Sequence, residues 1–158
     1  MLKINYNQRK RLTLEGFEQL KKELEELKNK RPGIVDRLAN ARSMGDLSEN
    51  NDYHNALEAL EFLDNRISEL EEVIKTAEVV KQSSSNSSEV SLGSKVKVGI
   101  NGRQHVFHIV GEWEADPQEK KISHESPLGR ALVGRKVGQE VEVEAPAGKV
   151  VYKIISIE

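Results

Sequence analysis

Cysteine is absent from this chain of 158 residues, and aromatic residues make up only 4% of it. The lack of cysteine excludes disulfides and thiolate metal sites. No apolar run approaches the roughly 20 residues that span a bilayer, and the N-terminal segment lacks the apolar stretch of a secretory signal. We therefore expect a protein of the cytoplasm without a membrane partner.

The chain also has little net charge, −2, although 32% of its residues are charged. No bulk positive field attracts nucleic acid, so any nucleic-acid contact must come from local charge or from a partner protein. So many charged residues with so few aromatic ones are too polar for one large core. The composition favours a long, solvent-exposed helical element beside a modest globular unit.

A serine-rich stretch at residues 83–88, SSSNSS, divides the chain. It has neither the apolar content to pack nor a helical preference, so it is typical of a flexible linker. We predict an N-terminal domain over residues 1–82, a linker over 83–90 and a C-terminal domain over 91–158.

Apolar residues of the N-terminal half recur in alternating steps of three and four. Sustained over about four heptads in each of two runs, this spacing predicts two long helices packed as a coiled coil. Thr13 is the expected cap of the first helix, with Glu15 near its positive end. The apolar seam consists of Phe17, Leu20, Leu24, Leu27, Ile34, Leu38 and Ala41 in the first run, and Tyr53, Ala56, Leu60, Leu63, Ile67, Leu70, Ile74 and Ala77 in the second.

Between the two runs, residues 43–48 leave room only for a tight reversal, in which Gly45 can take positive φ. The helices are therefore expected to form an antiparallel hairpin whose arms, of about 30 residues each, are about 45 Å long. Pro32 should kink the first arm or loosen it locally. On spacing alone, a dimerisation or scaffold coiled coil is equally compatible with this pattern.

After the linker the period changes to two, which predicts strands. Asn101-Gly102 is the preferred pair for a type I′ turn between two of them. Ser126 as cap, Pro127 in the first turn and Gly134 beyond the end mark one short helix. The fold class is thus α+β: an antiparallel helical hairpin followed by a curved antiparallel sheet closed by one helix. The predicted strands include residues 96–100, 105–110, 141–143 and 150–157.

The most distinctive chemistry lies at the hairpin tip, where Asp46 and Glu49 are three positions apart. This is capping-box spacing, with a carboxylate as N-cap, and on spacing alone capping is the favoured interpretation. The same spacing also directs two carboxylates the same way. They are too few to hold Mg²⁺ alone, but they suit an ion shared with a phosphate and another protein, and they could orient an attacking water. Because nothing near the tip excludes water, a helper protein is favoured over a free-standing enzyme.

The segment Ala41–His54 resembles the tip signature of the Gre family of bacterial transcript-cleavage factors, of the GreA type. Four further segments are similar to that family in the same order: Thr13–Phe17, Arg31-Pro32, Ser126–Gly134 and Pro146–Gly148. The resemblance covers nearly the whole chain. It departs from the family in about six extra residues before the usual start and in a longer, more serine-rich linker.

The resemblance implies a function. Gre factors insert the hairpin through the secondary channel of RNA polymerase when the enzyme has backtracked. Asp46 and Glu49 match the two tip acids, which share a Mg²⁺ with the polymerase, so that the polymerase cuts the nascent RNA near its 3′ end. The factor binds no cofactor alone, is not itself an enzyme, and is expected to be a monomer. Its C-terminal domain is expected to be FKBP-like and to dock on the polymerase.

The resemblance also gives expectations for other residues. Ser48, Asn50 and Tyr53 match the surroundings of the tip acids and would support the tip or contact RNA. Glu125, Ser126 and Pro127 match the docking loop, although Ser126 is equally well explained as a helix cap. A strip that guides RNA would consist of Arg37 and Arg42, with Lys28, Lys30 and Arg31 farther away; a solvated helix face is the more common explanation of such charges.

Two alternatives remain open from the sequence. One is a Gre paralogue that enters the same channel but inhibits the polymerase, against which the intact Asp46 and Glu49 pair argues. The other is a coiled-coil scaffold, or a chaperone or prolyl isomerase with an FKBP-like domain. His105 and His108, three apart in a predicted strand, should face opposite sides, which argues against a metal pair.

Overall fold

The structure, a computed structural model, describes residues 10–45, 50–81 and 88–158. By internal contacts the chain forms two compact units: Glu18–Thr76, called here the helical unit, and Met1–Phe17 with Ala77–Glu158, called the sheet unit. This division differs from a boundary at residue 82, because the start of the first helix packs with the sheet. Most of the predicted linker lies outside the described residues.

The helical unit is an antiparallel pair of long helices, α1 (Leu14–Ser43) and α2 (Asn51–Thr76). The predicted seam is confirmed: Leu20, Ala41, Ala56, Leu63, Ile67 and Leu70 are buried. Val73, which lies outside the predicted spacing, is also buried. Pro32 lies inside α1, which continues on both sides of it from Leu14 to Ser43.

Ion pairs link the outer edges of the two helices. Arg31, which takes a slot of the seam that no apolar residue fills, donates from Nε and Nη2 to the two carboxylate oxygens of Asp64, at 2.7 and 3.1 Å. The hydrogen bond from Arg31 lowers the pKa of Asp64. Farther along, Arg66 bonds Glu23 at 3.0 Å and Lys28 lies 2.9 Å from Glu71. These pairs favour the antiparallel register, although exposed ion pairs contribute little to stability individually.

The sheet unit contains five strands in one sheet: β3 (Lys95–Ile100), β4 (Arg103–Val110), β5 (Lys121–Ser123), β6 (Glu140–Ala145) and β7 (Gly148–Ile157). Their order in the sheet is β5-β4-β3-β7-β6. Asn101 and Gly102, with φ of 49° and 79°, join β3 to β4, so the predicted type I′ turn is confirmed. The prediction of a wholly antiparallel sheet is wrong at one edge, where β5 runs parallel to β4.

The core of this unit lies between the sheet and the short helix α3 (Pro127–Leu132). Leu132 of α3 is fully buried, and the predicted cap is confirmed, since Gly129 N donates to Ser126 Oγ at 3.0 Å. The sheet contributes Val96, Val98, Ile109, Val141 and Ile154 to this core.

The sequence did not predict a two-stranded parallel sheet formed by β1 (Arg11–Thr13) and β2 (Glu78–Val80). At the end of β1, Thr13 caps α1 as predicted, accepting from Gly16 N at 3.0 Å. The Glu114 carboxylate accepts from the backbone and the hydroxyl of Thr13 and from Gly111 N. A Cβ on Gly16 would overlap that carboxylate, so the glycine is required for the contact. Glu114 thus ties the first turn of α1 into the sheet unit.

No helix in the described part of the chain is both long enough and apolar enough to cross a membrane.

Candidate functional site

The predicted tip acids Asp46 and Glu49, together with Ser48, lie outside the described residues. The site is therefore described through the residues on either side of them: the last turn of α1 with Met44 and Gly45, and the first turn of α2 with Asn50 before it. These residues fix where the chain leaves one helix and enters the next.

Asn50 contacts both helix ends. Its side-chain Nδ2 donates to the carbonyl oxygen of Ala41 at 2.7 Å, and its Oδ1 accepts from the backbone N–H of Tyr53 at 3.1 Å. One carboxamide therefore binds a carbonyl in the last turn of α1, which also accepts from Met44 N at 3.2 Å, and an amide at the start of α2, which a helix leaves without a partner. Ala41 is only 5% exposed and Ala56 is fully buried.

The start of α2 is capped by a residue that the structure describes. Since α2 begins at Asn51 and Asn50 accepts from the N–H three positions on, Asn50 is the N-cap of α2. Asp46, which spacing alone favoured as a helix cap, lies outside the described residues.

An aromatic and cationic cluster lies beside the cap. The guanidinium of Arg42 lies over the ring of Tyr53, 5.8 Å from its centroid, within the range of a cation–π contact. Tyr53 also meets the ring of His54 edge to face, with centroids 5.5 Å apart. Met44 is 80% exposed. The structure thus places Arg42 and Tyr53, two of the predicted residues, against each other at the tip.

The predicted basic strip divides into two groups. Lys28 and Arg31 are paired with Glu71 and Asp64, so much of their charge is neutralised. Arg37 and Arg42 are exposed, and neither is in an ion pair with another described residue. Five positions apart, they point about 140° from each other around α1. They do not form one continuous strip, and Arg42 is the one near the tip.

The predicted docking loop is a rigid turn between β5 and α3. Ser126 Oγ donates to the carbonyl oxygen of Ser123 at 2.7 Å as well as capping α3. Its hydroxyl therefore already makes two hydrogen bonds inside the turn, whereas Glu125 and Pro127 are exposed. A Cβ on Gly129 would overlap the backbone at Ser123. The glycine allows this close packing, which presents Glu125 and Pro127 on a fixed support.

Histidine 108 lies in β4 between Lys95 of β3 and Lys121 of β5. Burial, and then the charge of Lys95, lower its pKa. No group of three or more metal-ligating side chains lies together in residues 10–45, 50–81 and 88–158.

The described residues define a protein of two units: a helical hairpin with an Asn50 cap at its tip, and an α+β sheet unit with a rigid exposed turn. The N-terminal model of the transcription elongation factor GreA/GreB family matches residues 10–79, and the C-terminal model matches residues 84–158. The chain is 46% identical over 149 residues to transcription elongation factor GreA of Thermodesulfovibrio yellowstonii, covering 92% of this chain and 94% of that protein. It is 44% identical over 151 residues to GreA of Lactococcus lactis, covering 93% and 96%.

The chain belongs to the GreA/GreB family of transcription elongation factors. Within that family it is of the GreA type, as its sequence motifs predicted. The scaffold, isomerase and inhibitor alternatives are not favoured.

Solved structures with similarity to the chain include GreA factor homolog 1 of Thermus thermophilus, at 25% identity and a TM-score of 0.44, covering 96% of this chain and 99% of that one. Another is the elongation factor GreA/GreB from Nitrosomonas europaea, at 22% identity and a TM-score of 0.43, covering 94% and 98%.

Proposed function

We propose that this elongation factor binds bacterial RNA polymerase, inserts its hairpin into the secondary channel, and stimulates the polymerase to cut the nascent RNA in backtracked complexes. The observation that carries the proposal is the match of both family models over most of the chain, with the motif that holds Asp46 and Glu49 intact between α1 and α2. The factor acts as a monomer in the cytoplasm, and the polymerase, not the factor, is the enzyme.

The shape of the helical unit supports delivery into a narrow channel. With 30 residues, α1 is about 45 Å long. Leu20 and Ala41 of α1 are buried, whereas the charged residues Glu26 and Asp36 on the same helix are exposed. Groups at the end of an exposed hairpin need the walls of a partner to exclude water.

Two carboxylates fit a shared metal site better than a complete one, because Mg²⁺ prefers six oxygen ligands. Asp46 and Glu49 would supply part of the set, with polymerase and RNA phosphate supplying the rest. A bound Mg²⁺ provides positive charge that stabilises the reacting phosphodiester. The contribution of this chain is to hold its carboxylates in place and to accept a hydrogen bond from the attacking water, which orients it toward phosphorus.

Arg42 and Tyr53 are the described residues best placed to contact the RNA. The guanidinium can bind a phosphate while it remains over the Tyr53 ring, and the aromatic ring offers a stacking surface to an unpaired base. Arg37 lies farther from the tip and on another side of α1. It would contribute to RNA binding more weakly than Arg42.

Docking on the polymerase is assigned to the turn between β5 and α3. Glu125 and Pro127 are exposed on a turn whose backbone is fixed by Ser123, Ser126 and Gly129. A preorganised turn loses little conformational freedom when it binds, which favours affinity. Ser126 acts through the turn, because its hydroxyl is already hydrogen-bonded within it.

The experiment is RNA cleavage with Mg²⁺ in stalled, backtracked complexes, with and without the factor, and in parallel on the same RNA without polymerase. Shortening of the RNA from its 3′ end only when polymerase and factor are both present is the expected result. Slower elongation without shortening would instead support the inhibitor alternative. Cleavage of free RNA would contradict the assignment of the chemistry to the polymerase.

A further inference from the structure

We infer that the sheet unit has an RNA-contacting surface of its own, formed by the rings of His105, Phe107 and Tyr152 and by the side chains of Arg103 and Lys120. These five residues are called here the ring surface. The inference goes beyond the proposed function, because this surface binds single-stranded RNA without polymerase and takes no part in cleavage.

The three rings lie on the inner face of the sheet, which is the face that carries the core. His105 and Phe107, two positions apart in β4, pair with buried valines of β3, so both side chains lie on this face. Their rings are stacked, with centroids 6.2 Å apart and planes 21° apart. Tyr152 of β7 meets the Phe107 ring edge to face, with centroids 6.4 Å apart. The rings therefore form one continuous aromatic cluster across the sheet.

This cluster lies at the border of the core and remains accessible. Farther along β4, Ile109 is completely buried, whereas the three rings are each half-buried. Phe107 and Tyr152 pack against the core, which holds them in place. A ring with a fixed position loses little conformational freedom when a planar group stacks on it. The cluster is thus a preorganised stacking surface.

The charges around the rings favour an anionic partner. Lys120 Nζ lies 3.4 Å from His105 Nδ1, and Arg103 lies two positions before His105 on the same face of β4. Both cations are exposed, and neither is in an ion pair with another residue in the described part of the chain. Within strands β3, β4, β6 and β7, the inner-face positions carry no carboxylate, because the glutamates of β6 alternate to the other face.

Rings with cations beside them suit single-stranded nucleic acid, since bases stack on the rings while the cations contact phosphates. An acidic peptide would pair with the cations but would leave the rings without a planar partner. A duplex keeps its bases stacked inside and presents no base face to a ring. RNA is the strand assigned here, because the chain is a transcription elongation factor and elongation produces single-stranded RNA.

The test is fluorescence anisotropy of a labelled single-stranded RNA of about 12 nucleotides, titrated with the full chain at low salt and without polymerase. His105→Ala removes one stacking ring and should weaken RNA binding by about 10-fold. Phe62→Ala is the matched control, because it removes an exposed ring of α2. The control should keep the wild-type affinity within about twofold. Thermal unfolding checks that both variants remain folded.

A second pair of variants tests the cations. Each phosphate contact on a single strand contributes about −0.7 to the slope of log affinity against log salt concentration. Lys120→Gln should therefore make the slope shallower by about 0.7. Lys153→Gln makes the same change at an exposed position on the other face of the sheet and should leave the slope unchanged.

RNA binding through the hairpin is separated from binding at the ring surface by repeating His105→Ala in an Arg42→Gln background, where the loss should persist. A wild-type affinity in folded His105→Ala, or an unchanged slope in Lys120→Gln, would overturn the inference. Equal losses in His105→Ala and Phe62→Ala would overturn it too, as would tighter binding of duplex RNA or of DNA of the same sequence. Absence of stimulated cleavage, with these RNA results in place, would count against the proposed function alone.

Discussion

At the scale of single residues, the contact between Glu114 and the start of α1 gives a role to Glu114 and to Gly16, for which the sequence alone indicated none. Glu114 accepts hydrogen bonds from Thr13 and from Gly111 N, and Gly16 leaves room for the carboxylate. Thr13 and Glu114 are 101 positions apart in sequence. No local pattern indicates such a contact, whereas the cap formed by Thr13 with Gly16 is local and was predicted.

Gly16→Ala should destabilise the sheet unit by about 1–3 kcal/mol, because moving Glu114 aside breaks its hydrogen bonds. Gly33→Ala is the matched control, since Gly33 lies in the same helix with no other group within 4 Å of the position a Cβ would take. That change should stabilise α1 by about 0.5–1 kcal/mol. Urea unfolding followed by circular dichroism measures both, and equal effects of the same sign would contradict the role given to Glu114.

Histidine 108 gives a prediction about pH. Its pKa is lowered by burial and by Lys95 and Lys121, against opposing effects of Glu15 and Glu114. The folded sheet unit therefore binds this proton less readily than the unfolded chain. Its contribution to stability is complete above the unfolded pKa of about 6.5 and is lost as pH falls through the lowered folded value.

The free energy of unfolding of the sheet unit should accordingly fall more steeply from pH 7 to pH 5 in the wild type than in His108→Gln. His105→Gln, in the same strand, is the matched substitution, and an effect common to both variants is not assigned to His108. Denaturant unfolding at a series of pH values checks this expectation. A slope in His108→Gln equal to that of the wild type would assign the pH dependence to other groups.

At the scale of elements, the seam of the hairpin gives the clearest energetic prediction. Leu70 is completely buried between the helices, so Leu70→Ala should cost about 2–5 kcal/mol. Phe62, on the same helix, is 76% exposed, and Phe62→Ala should change stability by no more than about 0.5 kcal/mol. Thermal unfolding of both variants separates the two positions. Similar losses would mean that α2 does not pack on α1 through the predicted face.

The elements that could be predicted from the sequence are those with local signals. Two runs of apolar residues in alternating steps of three and four predicted both long helices, and Asn101-Gly102 predicted the turn between β3 and β4. The three-residue strands β1, β2 and β5 are too short to show alternation, and each takes part in a parallel pair, which no turn motif announces. Pro32 was expected to kink or loosen α1 locally, and α1 runs on both sides of it from Leu14 to Ser43.

At the scale of the whole molecule, the sequence predicts the kind of site but not the side-chain contacts beside it. The spacing of Asp46 and Glu49 was compatible with a simple cap, and the resemblance of the surrounding motif favoured chemistry instead. Among the described residues, Asn50 caps α2. Sequence reasoning named Asn50 and Tyr53 as neighbours of the acids but could not show that Asn50 bonds both helices or that Tyr53 holds Arg42. Both contacts depend on the closure of the hairpin.

The central claim is that the two tip acids act inside the polymerase. The most direct measurement is the rate of RNA 3′ cleavage in backtracked complexes with Mg²⁺ at saturating factor. It compares the wild type with Asp46→Ala/Glu49→Ala and, as control, with Glu26→Ala/Asp36→Ala, which removes two exposed acids of α1. The account predicts a loss of about 100-fold or more in the tip variant, with retained polymerase binding and a control close to wild type. A tip variant that cleaves as fast as the wild type would contradict it.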